Sequence, residues 1–275
     1  MSRRLVRLAR STGRVVLFLS VWLVVAIVPV AAWEEPAVLV GHPSLLRLYW
    51  EAAPLTLTMV VTCAFVVLID KGRVGFSLTT HPWRDSVTGV VVGLLWVGTV
   101  TLTLWSGGFL SVTGANPVPL FVVYAAALFA NTCTQELLVH GYLFSYLRGR
   151  HGTLAAVVVT TVMFTAVHGG ALSEGPLATL NVLAAGLFLA LLLIASGGLW
   201  LPIVAHFLWN LAGGMVLGQV ALGEDLHWLR TTITGPEWVS GGSARMEGGV
   251  VTLATTLILC SVGAVVVHRQ RQRAS

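Results

Sequence analysis

Apolar residues gather in this chain into stretches too long for the surface stripe of a soluble helix. Eight stand out, at 15–33, 53–69, 86–106, 118–147, 152–172, 176–195, 199–219 and 248–267. A helix rises 1.5 Å per residue, so about 20 mostly apolar residues cross a hydrocarbon core of about 30 Å. The pattern predicts an all-α fold, a polytopic membrane helix bundle of about eight transmembrane helices. The fourth stretch is long enough to tilt or to project beyond the bilayer. Between the spans, 74–85 carries Trp83 and Arg84 and is expected at an interface. The longest hydrophilic stretch is 220–247, with Gly235, Pro236, Gly241 and Gly242 as turn signals.

Composition removes the main rival. A length of 275 residues fits two soluble domains, but 56% of residues are hydrophobic and only 10% charged. Soluble domains carry about 25% charged residues, and so few charges cannot build a water-facing surface. The net charge of +5 does not point to nucleic acid, because of where the bases sit. Arg3, Arg4, Arg7, Arg10 and Arg14 precede the first apolar stretch, and Arg269, Arg271 and Arg273 follow the last. With both termini cytoplasmic, Lys71, Arg73, Arg84, Arg148 and Arg150 also fall inside, leaving Arg47, Arg230 and Arg245 outside. That is the positive-inside partition for eight spans. Glu34, Glu35, Glu51, Glu174, Glu224, Asp225, Glu237 and Glu247 collect on the outer side. The apolar run Val15–Trp33 exceeds the 7–15 residues of a signal-peptide core, so a retained anchor is expected. Cys63, Cys133 and Cys260 lie in apolar runs without metal-ligand spacing and read as packing residues.

Polar residues interrupt the later spans. A charge at mid-bilayer costs about 2.5–3.5 kcal/mol on insertion scales, so it needs a partner or a hydrated cavity. The fourth span holds Asn131, Gln135, Glu136 and His140; His168 lies in the fifth, Asn181 in the sixth, His206 and Asn210 in the seventh. Glu136 and His140 are four apart and share a helix face, as do His206 and Asn210. A bundle that turns these faces inward gathers a carboxylate, imidazoles and carboxamides, an inventory suited to acid–base chemistry on water. A proton pathway uses the same residue types, so spacing alone does not separate a hydrolase from a transporter. Nothing in their spacing takes Asn131 or Asn181 beyond interhelical hydrogen bonding.

Three segments together resemble the CPBP family, the CAAX protease and bacteriocin-processing membrane proteins. Its first motif, Glu-Glu-x-x-x-Arg and commonly Gly, corresponds to Gln135-Glu136-Leu137-Leu138-Val139-His140-Gly141. The second, Phe-x-x-x-His, is Phe164 to His168, and the third, His-x-x-x-Asn, is His206 to Asn210, preceded by Gly198-Leu199-Trp200-Leu201-Pro202-Ile203. Phe-x-x-x-His alone is uninformative; all three in order on successive membrane helices are specific. Gly235-Pro236-Glu237-Trp238 through Gly241-Gly242 and Glu247 resembles one bacterial branch. The likeness covers roughly 120–260. It divides the chain into a basic cytoplasmic N-terminus (1–14), N-terminal transmembrane helices (15–117), a CPBP-like catalytic-type bundle (118–267) and a basic cytoplasmic tail (268–275).

The resemblance implies an intramembrane endopeptidase in a bacterial cytoplasmic membrane, acting on a membrane-embedded, prenylated or otherwise hydrophobic peptide. In the family the first-motif glutamate and second-motif histidine are thought to activate water, and the third-motif pair to stabilise the oxyanion. Carried over, Glu136, His168, His206 and Asn210 are the catalytic set, with Gln135 and His140 supporting. Two positions depart from the pattern: the family's first glutamate is Gln135, and its arginine is His140. A carboxamide cannot take a proton from water near neutral pH. Glu136 then either takes over as base or pairs with His140, as the family's second glutamate does with its arginine. The family carries a metalloprotease label, although a metal-independent mechanism has also been argued. Zinc, if bound, would be held by Glu136, His168 and His206; there is no His-Glu-x-x-His helix. A non-catalytic bacteriocin-immunity or peptide-binding role and a proton-coupled transporter are the alternatives.

Overall fold

A computed structural model describes residues 3–220 and 226–274; Glu224 and Asp225, expected on the outer side, lie outside the described residues. In chain order the principal elements are α1 (Arg3–Trp22), α2 (Pro43–Ala64), α3 (Pro82–Ser106), β1 (Leu110–Ala115), α4 (Phe121–Glu136), α5 (Phe144–Val167), α6 (Gly169–Ser173), α7 (Pro176–Ser196), α8 (Trp200–Trp209), β2 (Leu229–Ile233), α9 (Glu237–Ser240) and α10 (Val250–Ala274). Wide π turns extend several of them: Leu23–Ile27 after α1, Phe65–Ile69 after α2, Leu137–Leu143 between α4 and α5, and Asn210–Val216 after α8.

Six helices among the described residues are long and apolar enough to cross a membrane, with a shorter apolar helix at Trp200–Val216. The protein is an integral membrane helix bundle. The difference from eight spans is largely one of continuity. Phe121–Val167 runs 47 residues and holds both the fourth and the fifth expected spans. At Gly152 the backbone leaves the helix, with φ 84° and ψ 170°, a conformation that a residue without Cβ enters at least cost. The second span starts at Pro43 rather than 53, which brings Arg47 and Glu51 onto the helix. Their i,i+4 pairing at 2.9 Å satisfies the charges there, and proline at the first turn lacks only an N–H that would have no helical partner.

The bundle also carries a two-stranded antiparallel sheet that periodicity does not predict, β1 with β2, Leu110 facing Ile233 and a bulge between Val112 and Gly114. The hydrophilic stretch 220–247 supplies β2, and Ser111 and Thr232 meet side chain to side chain at 2.7 Å. Such cross-strand pairs hold a strand too short to declare itself in sequence.

The chain forms two compact units, Met1–Phe76 with Val122–Val157, and Ser77–Phe121 with Val158–Ser275. In the first, Phe18 meets Phe65 edge-on at 5.0 Å and lies 4.6 Å from Tyr142. Below this cluster the Tyr142 hydroxyl donates to Asp70 Oδ2 at 2.6 Å, and Arg14 stands 3.7 Å from Oδ1. Asp70 is therefore buried with partners, as a carboxylate in a bundle must be.

In the second unit α3 and α8 touch backbone to backbone. A Cβ on Gly93 would stand 2.6 Å from Leu208 Cβ and 2.9 Å from the Ala205 carbonyl oxygen; one on Gly89, a turn earlier, would stand 2.7 Å from Val204 Cβ. Small residues at this spacing are how membrane helices approach closely when lipid removes the hydrophobic drive to associate. One turn further, Trp96 stacks on Trp209 at 4.5 Å and donates its indole N–H to Thr256 Oγ1 at 2.9 Å, tying α3 to α8 and α10.

Candidate functional site

The first-motif residues lie in the first unit. Glu136 is the last residue of α4, and His140 sits in the π turn that follows. His140 Nδ1 lies 2.7 Å from Glu136 Oε2, and neither side chain has solvent exposure. Against an ionised carboxylate Nδ1 must carry a proton and donate it to Glu136 Oε2. His140 thus meets the carboxylate one turn before it in the chain. π turns in membrane and soluble helices often mark functional segments.

Gln135 is turned to another face. Its Nε2 donates to Asn131 Oδ1 at 2.7 Å, and Asn131 Nδ2 donates to Glu51 Oε2 on α2 at 2.8 Å. Asn131 does act as the interhelical hydrogen-bonding residue its spacing suggests. Glu51 was not among the residues singled out, because its charge assigned it to the outer loop; its i,i+4 spacing from Arg47 was the signal that the helix starts earlier.

The second- and third-motif residues lie in the second unit. α5 ends at Val167, and His168 (φ −93°, ψ 48°) stands at the break before α6, where Gly169 and Gly170 follow. The expected span 152–172 is therefore interrupted at the histidine itself. His168 Nδ1 lies 2.7 Å from the Phe164 carbonyl oxygen. A carbonyl can only accept, so Nδ1 bears hydrogen, and in the neutral ring the lone pair is on Nε2. The backbone one turn back thus sets the tautomer a general base needs.

Phe164 does more than space the motif. Its ring lies 4.3 Å from the His168 imidazole and 5.7 Å from that of His206, centroid to centroid. Both imidazoles therefore lie near one buried ring. Gly186 on α7 makes room: a Cβ there would stand 3.0 Å from Phe164 Cδ1. His206, on α8, is 5% exposed, and Asn210, opening the next π turn, is 3% exposed. Trp209, between them in sequence, is anchored by the Trp96 stack. The unit thus brings the His168 and His206 imidazoles against one ring, with the buried Asn210 carboxamide four residues after His206. Asn181, on α7, donates to the Gly249 carbonyl at 3.1 Å and serves as a tie to the start of α10.

Among the described residues no three His, Cys, Asp or Glu side chains form a group able to hold a metal ion, and Glu136, His168 and His206 are not brought into such a group. The residues do not fit zinc, and no chemical step is routed through one.

Residues 117–212 match the Type II CAAX prenyl endopeptidase Rce1-like family. The matched segment contains Gln135–Gly141, Phe164–His168 and His206–Asn210 and leaves α1, α2, α3 and α10 outside it. Comparisons with curated proteins and with solved structures returned no match.

Proposed function

We propose that the protein is an intramembrane endopeptidase that hydrolyses a peptide bond of a prenylated or otherwise hydrophobic, membrane-associated peptide with an activated water, a reading supported by the match of residues 117–212 to the Type II CAAX prenyl endopeptidase Rce1-like family. In this reading His168 Nε2 accepts a proton from water as it attacks the carbonyl and hands it to the departing amine, and Glu136, carried by the first unit, is the carboxylate of the proposed set. His206 and Asn210 donate to the oxyanion as it forms. Preorganised donors act most strongly where water is excluded, and losing one costs about 2.7–4 kcal/mol of barrier. The observation that carries the reading is the bond between His168 Nδ1 and the Phe164 carbonyl, which makes Nε2 the acceptor nitrogen whenever the ring is neutral. The arginine partition supports an orientation with both termini in the cytoplasm of a bacterium.

One observation favours a second reading. Gln135 stands where the family has a glutamate and cannot act as a base near neutral pH. A non-catalytic member that binds hydrophobic peptides, as an immunity factor does, keeps the fold and the buried polar groups without turnover.

Cleavage of a quenched farnesylated or hydrophobic peptide in liposomes separates the two. Wild-type turnover is expected, lost in His168→Ala and reduced about 10²–10³-fold in Asn210→Ala. Turnover that survives His168→Ala, or binding without any turnover in wild type, would sink the proteolytic reading.

A further inference from the structure

Beyond the family-matched segment, the 3₁₀ turn Gly242–Gly248 holds an arginine in a backbone conformation that side chains avoid. Arg245 has φ 51° and ψ −135°, in a turn entered through Gly241 (φ 79°) and Gly242 (φ 57°). A residue other than glycine keeps such a backbone only where its surroundings over-determine it. Here the surroundings include two consecutive carbonyls. Arg245 Nη1 donates to that of Gly218 at 2.8 Å, and the Met246 N–H donates to that of Gln219 at 3.2 Å. The turn is itself anchored. Met246 is fully buried, its carbonyl accepts from Thr252 Oγ1 on α10 at 2.6 Å, and a Cβ on Gly241 would collide with the Arg245 carbonyl oxygen.

The peptide units gripped in this way close the third-motif π turn. Leu217, Gly218 and Gln219 donate their N–H groups to the carbonyls of Ala212, Gly214 and Gly213, at 3.0, 2.6 and 2.7 Å. Those carbonyls belong to the turn Asn210–Val216, which Asn210 opens directly after α8. Two residues before Arg245, Ser243 Oγ donates to Glu174 Oε2. The Glu174 N–H in turn closes α6, the short helix that follows His168, onto the Gly170 carbonyl at 3.1 Å. One turn therefore holds the segment after His168 and the turn at Asn210, and all three lie in the second unit.

We propose that Gly241–Gly248 is a clasp that sets these two segments against one another, with Arg245 as a positioning residue for the Asn210 turn. Arg245 acts through the Gly218 carbonyl and not on substrate. Its effect on turnover rests on the proteolytic reading; the clasp does not, and the two are measured apart.

Arg245→Gly removes the guanidinium and supplies the residue that this φ favours, so the thermal midpoint in detergent is expected to hold. Hydrogen exchange across residues 212–220, read by mass spectrometry, should quicken roughly tenfold, the worth of one hydrogen bond, while that of α1 stays as in wild type. In peptide cleavage kcat should fall roughly tenfold with KM little changed, the mark of an interaction used in the transition state. Arg245→Lys keeps a charged donor and should restore most of both. Unchanged exchange in Arg245→Gly overturns the clasp, whatever the turnover. Faster exchange with unchanged kcat overturns the positioning role, as does a fall in kcat that only follows loss of folded protein. A wild type without turnover, yet with exchange as described, retires the proteolytic reading and leaves the clasp standing. Should Arg245→Gly fail to fold, Ser243→Ala carries the test at an exposed position. Faster exchange across residues 169–175 with lower kcat then supports the clasp, and unchanged exchange there overturns it.

Discussion

Replacing His140 by leucine removes one member of a pair that has no access to water. Glu136 Oε2 and His140 Nδ1 are 2.7 Å apart and both side chains are fully buried. Water cannot take the imidazole's place, so the carboxylate keeps its desolvation penalty and loses a close donor. Breaking a buried pair from one side costs about 3–5 kcal/mol. At roughly 2–4 °C per kcal/mol for a chain of this size, the midpoint should fall by about 6–20 °C. Thermal unfolding in detergent, followed by tryptophan fluorescence, reads this directly, since the chain holds ten tryptophans. Glu136→Leu in the His140→Leu background should recover much of the loss, because an apolar pair of similar shape leaves no buried charge. Completing the four-protein cycle cancels whatever else either group touches. A His140→Leu loss below about 1 kcal/mol, or single losses that simply add, would show that the pair is not coupled and that the reasoning from burial is wrong.

Gly93→Val is expected to destabilise by about 1–3 kcal/mol, since its Cβ would stand 2.9 Å from the Ala205 carbonyl, backbone that cannot step aside. Because Ala205 precedes His206, peptide cleavage should drop with it; wild-type stability in the variant would refute close α3–α8 contact. Since no three metal-ligating side chains come together among the described residues, cleavage should withstand dialysis against a zinc chelator. Activity lost on dialysis and regained with zinc would contradict that.

Much of the candidate site was legible from residue order. Glu136, His168, His206 and Asn210 were picked out as polar groups where lipid tolerates few, and the family match covers all four. Less legible were the residues that orient them. Phe164 looked like a spacer, yet its carbonyl sets the His168 tautomer and its ring lies against both imidazoles. Glu51 looked like a loop charge, yet it is linked to Gln135 through Asn131. The first link has a spacing of four but uses a backbone atom that any residue supplies, and the second joins residues 80 apart in the chain.

The amino-acid sequence by itself determined that this is a membrane helix bundle, since hydropathy is a local property and bilayer thickness translates it into span length. It also determined which polar groups had to be accommodated within the spans. Tertiary structure alone decided how they are accommodated: that Gly152 divides one long apolar run, that Arg47 and Glu51 extend a helix, that Gly89 and Gly93 bring α3 onto α8, and that a carboxylate on α2 turns two carboxamides on α4. Those outcomes depend on which atoms meet across helices, and meeting across helices has no period along the chain.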